Sequence, residues 1–358
     1  MNDGTSPDGA PLVSICLPSL NTRPFLEERI ASILGQTFGD WELVVTDSYS
    51  DDGSWELFQA LARDEPRCRI DQAPRGLYPS WNHCLRQARG RYVYVATSDD
   101  VMALDCIGKM VAALEAHPEC DLAHCPLRIT DGEGRDLASA AHPPWPDCTV
   151  FAHGLGDLAH RPHVRRAPYD GLLHLTGEHV ILSVNQLLVR RSLFERTGFF
   201  ESTWGSVGDF NWEMRAGLLA DTVHVPDTWT SWRIHGRQAT AGVDVFSPER
   251  GRVIDLMIAD AVAAAERHLP APLFAALSAD WVEPGRQLRG YYAGLRERRD
   301  PRERRAFQLA QALRGGGRVR GEMLGRALGR PRWPDVAPER IRAWLDRRLG
   351  RQAVEALA

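Results

Sequence analysis

Two adjacent carboxylates, Asp99 and Asp100, follow the apolar and aromatic run Tyr92–Ala96 almost directly. A run of this kind predicts a buried parallel strand, and open α/β sheets bind their ligands at the carboxyl ends of such strands. Two acids at that place are costly unless a positive group accompanies them, and a divalent cation that carries phosphate oxygens would supply one. The pair therefore predicts a metal and phosphate site. A helix N-cap is the alternative role of an aspartate here.

Polar residues also end the two strands predicted nearer the N-terminus. Pro18, Ser19 and Asn21 follow the run Val13–Leu17, and Asp47 follows Trp41–Val45. Strand ends of a parallel sheet share one edge, where an acid such as Asp47 can accept hydrogen bonds from a ribose hydroxyl or a base N–H. No glycine-rich phosphate loop follows a strand, since the glycines at 315–317 come after an arginine-rich helix. A pyrophosphate must then be held by metal and side chains.

The elements that position these residues alternate between strand and helix patterns from Leu12 onward, which predicts βαβ units and a parallel sheet. From Thr130 to about Gly177 the periodicity weakens, and a long irregular segment inside a compact domain is usually functional or disordered. Beyond Pro248 every pattern is helical. The predicted strands are 13–17, 41–45, 69–72, 91–97, 121–129 and 229–234, and a regular pattern returns at 180–189. One predicted helix is capped by Asp52 or Ser54 and runs to Leu61, and the others are 24–34, 79–89, 105–116, 191–196, 209–220, 251–267, 301–313, 319–328 and 338–349.

The composition is that of a soluble globular protein, with 44% hydrophobic and 25% charged residues in 358. No apolar run reaches the roughly 18 residues of a membrane-spanning helix, and the polar N-terminus does not resemble a signal peptide. Seven cysteines without a CxxC pair favour a reducing cytoplasm. Residues 286–358 contain 19 arginines and 8 acidic residues, a net charge of +11, so residues 1–285 must carry −15 to give the overall −4.

The order and spacing of the motifs resemble a family 2 glycosyltransferase of the GT-A type over residues 11–240. The resemblance implies an α/β fold with a Rossmann-like, mostly parallel sheet and a C-terminal helical extension. We therefore expect a flexible N-terminus at 1–10, a GT-A domain at 11–245 with an acceptor-side insertion at 130–180, and a helical, arginine-rich region at 246–358. The matching segments are 13–21, 32–38, 41–47, 52–54, 75–77, 81–82, 88–90, 98–100, 188–194, 198–200, 208–210 and 232–236.

The resemblance also implies roles for individual residues. Asp47 resembles the acid that contacts the nucleotide base, Asp99 the ribose-contacting acid, Asp100 the ligand of Mg²⁺ or Mn²⁺, and Asp209 the catalytic base. Where the family usually has two acids at the second strand end, this chain has Thr46-Asp47, which leaves its nucleotide preference open. Pro18, Ser19, Asn21 and Arg75 are further expected nucleotide contacts, and His235 is expected at the metal.

The chemistry of inverting sugar transfer agrees with these roles. One carboxylate deprotonates the acceptor hydroxyl while a metal neutralises the charge on the departing diphosphate. Asp209 precedes an apolar helix pattern, so an N-cap is its alternative role. Trp204 is a candidate acceptor contact, and Trp212 is better explained by core packing. For Glu178-His179 and Arg165-Arg166 a solvated loop is favoured over acceptor contact.

Two other groups of residues invite a functional interpretation. The histidines at 142, 153, 160, 163 and 174 do not have the spacing of a zinc site, and neither do Cys120 and Cys125 around His124. The basic tail fits packing on the catalytic domain, a partner surface, or peripheral contact with an anionic membrane through an amphipathic helix near Ala306–Leu313.

These observations predict a cytoplasmic, metal-dependent inverting glycosyltransferase, peripheral to the membrane if the tail binds lipid. Its donor would be a nucleoside-diphosphate sugar and its acceptor a glycan, a lipid-linked molecule or a small molecule, with bacterial surface-polysaccharide assembly as the setting; no nucleic-acid partner is expected. The alternative is a glycosyltransferase-like scaffold that binds nucleotide or glycan without turnover. A sugar nucleotidylyltransferase would need a glycine-rich basic loop after the first strand, and Leu17–Asn21 is not one.

Overall fold

The computed structural model describes residues 10–137, 155–177, 180–239, 248–298, 300–314, 319–321, 323 and 337–357. The expectations for the N-terminal residues 1–9, for His142, His153, Glu178 and His179, and for most of the helix predicted at 319–328 lie outside these ranges.

Within the described residues, nine strands form one central sheet. Its first half is parallel: β1 (Val13–Ser19) pairs with β2 (Trp41–Asp47) on one side and with β4 (Tyr92–Val95) on the other, and β2 pairs with β3 (Cys68–Gln72). All residues of β1, β2 and β4 are buried, as their apolar runs predict. The other half is mixed, and continues from β4 through β8 (Leu187–Arg190), β5 (Leu122–His124), β9 (Thr222–His224), β7 (His163–Arg165) and β11 (Val354–Ala356).

Helices cover both faces of this sheet. The alternation of side chains along β1 and β4 sends Ile15 and Tyr94 to one face and Cys16 and Val95 to the other. One face packs against α1 (Arg23–Leu34), α2 (Ser54–Asp64) and α4 (Cys106–Ala116). The opposite face packs against α3 (Leu77–Gln87), α5 (Tyr169–Thr176), α6 (Leu193–Thr197) and α7 (Gly208–Leu219). The C-terminal helices α8 (Pro248–His268), α9 (Ala271–Leu277), α10 (Glu283–Glu297) and α12 (Ala337–Leu349) join the same core. The remaining described helix of this region, α11 (Pro301–Arg314), packs on α10.

The strand predicted over residues 121–129 is wrong, because the structure has two strands there. β5 ends at His124, and β6 (Leu127–Thr130) leaves the central sheet and pairs with β10 (Thr230–Arg233) in a separate two-stranded sheet. Pro126 lies at the break, where its missing N–H cannot contribute to a ladder. This small sheet carries the chain toward His235, so it positions one side of the site described below.

Two further expectations need correction. The segment 130–177 is not irregular throughout, since it contains β7 and α5 at its C-terminal end. The region after Pro248 is not entirely helical, because β11 returns to the central sheet and pairs antiparallel with β7. The C-terminal helices share one continuous core with α3, α5 and α7, so they are packed on the sheet domain.

Candidate functional site

A cleft of about 400 Å³ lies at the carboxyl ends of β1, β2 and β4. It is the place where the sequence predicts ligand binding, and most of the predicted site residues line it. The cleft is lined by Pro18, Ser19, Leu20, Asn21, Thr22, Phe25, Ser48, Gly76, Leu77, Ser80, Trp81, Thr97, Ser98, Asp99, Asp100, Leu182, Ser183, Ser206, Asp209, Trp232, His235, Arg237, Gln238 and Ala239.

Asp99 and His235 form a pair in this cleft. Asp99 follows β4, His235 follows β10, and Asp99 Oδ2 lies 3.0 Å from His235 Nε2. The side chain of Asp99 is 24% exposed and that of His235 is 10% exposed, so both can be reached from solvent. The ring of Phe25 packs 4.5 Å from the imidazole and fixes its orientation. The structure thus brings these two predicted site residues together, and their roles toward a nucleotide and a metal stay predictions.

Asp100 lies deeper, and the protein itself holds its carboxylate. Oδ1 accepts a hydrogen bond from the backbone N–H of Arg233 at 2.6 Å, and Oδ2 accepts from Asn185 Nδ2 at 2.9 Å and from the Thr97 hydroxyl. The residue is 2% exposed. Burial, with the neighbouring Asp99 carboxylate as a second cause, raises the pKa of Asp100 to about 8. A bound cation would act in the opposite direction and favour the ionised form.

The residues at this end of the cleft fit a hard divalent cation that keeps phosphate and water ligands. Asp99, Asp100 and His235 all border this end of the cleft, and Mg²⁺ is commonly held by one or two carboxylates together with substrate phosphates. A cage made by the protein alone is not present: the described ranges contain no group of three or more His, Cys, Asp or Glu side chains arranged to hold a metal. The remaining ligands would have to come from the diphosphate.

Arg233 supports both aspartates, and its role was not predicted from the sequence. Besides its backbone contact to Asp100, its Nε donates to the Asp99 carbonyl oxygen at 2.8 Å, and a terminal guanidinium nitrogen lies 2.5 Å from Glu28. Arg233 is 3% exposed. Its place in the motif Trp232–Gly236 was the only sign of Arg233 in the sequence. The contact to Asp100 spans 133 residues, and such a contact leaves no local pattern. Asn185 was missed for the same reason.

The side of the cleft at the ends of β1 and β2 is shaped by two residues with left-handed backbone conformations. Asn21 has φ of 53° and Tyr49 has φ of 56°, which non-glycine residues rarely adopt. Asn21 N donates to Ser50 Oγ at 2.9 Å, and its Oδ1 accepts from Asp51 N at 3.0 Å. The ends of β1 and β2 are thereby tied together beside the cleft.

Asp47 and Arg75 do not line the cleft in this structure. Asp47 is fully buried, and its carboxylate accepts from the backbone N–H and the hydroxyl of Ser50 and from Gln72. It therefore shapes the turn that follows β2 beside the cleft. Arg75 is exposed and donates to the Tyr49 carbonyl oxygen at 3.2 Å. Contact of either residue with a nucleotide stays a prediction.

Asp209 lies in the first turn of α7 and lines the cleft. Its Oδ1 accepts from the Tyr78 hydroxyl at 3.0 Å and from the Phe210 N–H at 2.9 Å. The helix begins one residue earlier, with Val207 in the cap position, so the alternative role of Asp209 as the N-cap residue does not hold. A carboxylate in the first turn is stabilised in its ionised form by the helix dipole, which suits a general base.

Both aromatic candidates pack on the core in the structure. Trp212 is fully buried and stacks 5.1 Å from Phe194, so the prediction of core packing is confirmed. Trp204 lies in the 3₁₀ turn Ser202–Val207 and packs against the same core, outside the residues that line the cleft. Its contact with an acceptor stays a prediction.

The solvated-loop interpretation of Arg165 and Arg166 is wrong. Arg165 is 1% exposed and lies 2.6 Å from the buried Asp170. Arg166 is 7% exposed and lies 3.0 Å from Asp221. Both guanidinium groups bind carboxylates inside the fold and do not face an acceptor.

Comparisons with known proteins agree with this geometry. Residues 14–179 match the model of glycosyl transferase family 2. The putative teichuronic acid biosynthesis glycosyltransferase TuaG of Bacillus subtilis is 28% identical over 136 residues, which cover 37% of this chain and 54% of TuaG. The chain spans about half the length of the curated relatives it matches first.

Two solved structures share the fold over nearly the whole chain. S. aureus TarS 1-349, in complex with UDP-GlcNAc, superposes with a TM-score of 0.57 at 16% identity and covers 95% of this chain and 92% of TarS 1-349. The mannosyltransferase PcManGT from Pyrobaculum calidifontis, in complex with GDP-Man and Mn²⁺, superposes with a TM-score of 0.52 at 18% identity and covers 96% and 85% of the two chains. The chain therefore has the GT-A fold of these solved structures, and residues 14–179 resemble glycosyl transferase family 2.

Proposed function

We propose that the protein is a metal-dependent, inverting glycosyltransferase that moves a sugar from a nucleoside-diphosphate sugar to a hydroxyl acceptor. The observation that carries the proposal is the presence of the Asp99–His235 pair and Asp209 in one cleft. The relative TuaG, named for teichuronic acid biosynthesis, supports an acceptor that is a glycan or a lipid-linked precursor of a bacterial surface polymer, and a small-molecule acceptor is the remaining alternative.

The residues divide the reaction between two ends of the cleft. Asp100 and His235 would hold Mg²⁺ or Mn²⁺, which would neutralise the negative charge that develops on the leaving diphosphate, and Asp99 would contact the ribose of the nucleotide. Pro18, Ser19 and Asn21 line the side where the nucleoside would lie. Asp209 takes the proton of the attacking hydroxyl, so that the acceptor oxygen displaces the diphosphate from the opposite face of the anomeric carbon. The bound GDP-Man and Mn²⁺ of PcManGT support this assignment of a metal to the donor.

A thermal-shift screen tests donor binding. Nucleoside diphosphates and their sugars are added with and without Mn²⁺, and a ligand at a hundredfold excess over its Kd stabilises the fold by about 2.7 kcal/mol. We expect one nucleotide to give a shift that requires Mn²⁺ and is lost in Asp100→Ala. Asp71→Asn is the matched control, because Asp71 is a half-exposed carboxylate at the end of β3 outside the cleft. A shift that is absent for every nucleotide would favour the inactive scaffold.

Turnover tests the base. With the donor found in the screen, Asp209→Asn should lower kcat by about 10²–10⁴-fold, the usual contribution of general base catalysis, while the metal-dependent thermal shift stays. The anomeric configuration of the product, read by NMR, tests inversion. Normal turnover by Asp209→Asn would contradict the assignment of the base.

We further propose that α11 contacts an anionic membrane surface. Phe307 stacks 6.0 Å from Tyr291 of α10 and fixes which face of α11 is turned inward. The outward face carries Leu309 and Leu313, 62% and 71% exposed, together with exposed Arg302 and Arg305. Apolar side chains flanked by arginines suit the surface of an anionic bilayer.

Cosedimentation with phosphatidylglycerol vesicles measures this contact. Leu309→Ser/Leu313→Ser should release the protein from the vesicles, whereas the control Leu256→Ser, 60% exposed on α8, should not. Equal sedimentation of both variants would exclude α11 as the contact.

In the part of the chain that the structure describes, no helix is long and apolar enough to cross a membrane. The six cysteines in that part are unpaired and buried, which supports a reducing compartment such as the cytoplasm.

A further inference from the structure

Tyr78 reaches from α3 to the first turn of α7 and makes two hydrogen bonds to the same residue. Its hydroxyl donates to Asp209 Oδ1 at 3.0 Å and accepts from the Asp209 N–H at 3.0 Å. The two residues are 131 positions apart in the chain. Both the carboxylate and the backbone of the proposed base are therefore fixed by one side chain from another element.

The position of the Tyr78 ring is itself fixed. The ring is 1% exposed, lies 5.3 Å from Trp81 in an edge-on arrangement, and stacks 5.9 Å from Phe200. Gly208, which precedes the base, leaves room for it: a Cβ at that position would lie 2.6 Å from the tyrosine ring and 2.4 Å from the Glu201 carbonyl oxygen. The close approach of α3 to the start of α7 therefore requires glycine at 208.

A second contact on the same face of α3 holds the chain that leads to the base. Asn82, one helical turn after Tyr78, donates to the Phe200 carbonyl oxygen at 2.8 Å and accepts from the Phe200 N–H at 3.1 Å. Leu77, Ser80 and Trp81 of α3 line the cleft, whereas Tyr78 does not. The helix thus faces the substrate with one side and holds the base with the other.

We propose that Tyr78 is a positioning residue for Asp209, which orients the carboxylate toward the acceptor hydroxyl and stabilises its ionised form. This inference rests on the proposed role of Asp209 as the base. A hydrogen bond donated to a carboxylate favours the charged form, and an ionised base is required at the moment of proton transfer. Burial, together with the Asp209 charge, raises the pKa of the Tyr78 phenol, so its hydroxyl remains a donor at every working pH.

Other titratable groups surround the base and must be considered in a pH experiment. Glu213 lies one turn further along α7, is 1% exposed, and has a pKa raised by burial and by Asp209. Unlike Tyr78, it makes no hydrogen bond to the base. The remaining groups are Glu201 before the 3₁₀ turn, His174 on α5, which packs 5.4 Å from Phe210, and Asp99, Asp100 and His235 elsewhere in the cleft.

The test is the pH profile of kcat/KM for Tyr78→Phe. A hydrogen bond to a charged group contributes about 1.5–3 kcal/mol, which at 1.36 kcal/mol per pKa unit corresponds to about one to two units. The acid limb of the profile should therefore move upward by about one to two pH units, and turnover on that limb should fall at least about tenfold. The KM for the donor should stay unchanged, because Tyr78 does not line the cleft.

Tyr92→Phe is the matched control. The Tyr92 hydroxyl also donates to a carboxylate, Glu115, and the ring is likewise buried, but the pair lies between β4 and α4, outside the cleft. Its profile should coincide with that of the unmodified protein.

The outcomes separate this inference from the proposed function. If the unmodified protein transfers no sugar, the proposed function fails. If it is active and Tyr78→Phe keeps the same acid limb, the inference alone fails. If Tyr78→Phe no longer shows the metal-dependent thermal shift with the donor, Tyr78 serves the fold and not the base, and the inference is again overturned.

Discussion

Replacing His174 by glutamine should change how stability depends on pH. His174 lies on α5, is 2% exposed, and burial lowers its pKa to about 3, with the nearby Arg165 charge as the second cause. An unfolded histidine has a pKa near 6.5. Between these two values the unfolded chain binds the proton and the folded protein does not. The contribution of neutral His174 to the free energy of unfolding is therefore complete above pH 6.5 and is lost as the pH falls below that value.

The magnitude follows from linkage. Each pH unit well below 6.5 costs the native state about 1.4 kcal/mol for one such histidine. Between pH 7.5 and 5.5 the loss amounts to about 1.4 kcal/mol, because most of it falls in the last unit. Glutamine does not titrate, so the stability of the unmodified protein relative to His174→Gln should fall by this amount over that interval.

Urea denaturation at pH 7.5, 6.5 and 5.5, followed by tryptophan fluorescence and analysed by linear extrapolation, measures the difference. Glu213→Gln provides a control of opposite sign, since burial raises the pKa of Glu213 and the folded protein keeps a proton that the unfolded chain releases. As the pH falls from 7.5 to 5.5, the free energy of unfolding of the unmodified protein should therefore rise relative to that of Glu213→Gln. The reasoning would be refuted if the free energies of unfolding of the unmodified protein and of His174→Gln differed by a constant amount from pH 7.5 to 5.5.

Three further substitutions test the packing that positions the site. Gly208→Ala should destabilise the fold by about 1–3 kcal/mol, because its Cβ would lie 2.4 Å from a backbone oxygen; an unchanged Tm would contradict this. Arg165→Met should cost about 3–5 kcal/mol in urea unfolding, since it leaves the buried Asp170 carboxylate without its ion-pair partner. Asn82→Ala should cost about 1–3 kcal/mol by leaving the Phe200 N–H and carbonyl without partners, and should lower kcat more than donor binding, as initial rates and thermal shifts would show.

The parts of the fold that the sequence predicts well are those with long, uniform patterns. β1, β2 and β4 are buried on both faces, so nearly every residue is apolar and the strands and their carboxyl ends are readable. β11 was missed because three residues cannot show an alternation. The break between β5 and β6 is marked in the sequence by Pro126.

The positions of the main site residues could also be predicted from the sequence, but the residues that support them could not. Asp99, Asp100, His235 and Asp209 could be placed at strand and helix ends from their motifs, and the structure brings them to one cleft. Their supports could not be predicted, because Tyr78, Asn185 and Arg233 lie 131, 85 and 133 residues away in the sequence from the aspartates that they hold. Contacts over such distances depend on the completed packing and leave no local pattern.

Strand β11 has a consequence for the synthesis of the chain. It covers the outer edge of β7, and its partner residues emerge from the ribosome about 190 positions later, as the contact from Arg166 to Glu355 shows. At about 5–20 residues per second, the backbone of His163–Arg165 waits roughly 10–40 s for its partner. An uncovered strand edge can pair with another chain, so this edge of β7 stays open to intermolecular pairing until translation has passed Ala356.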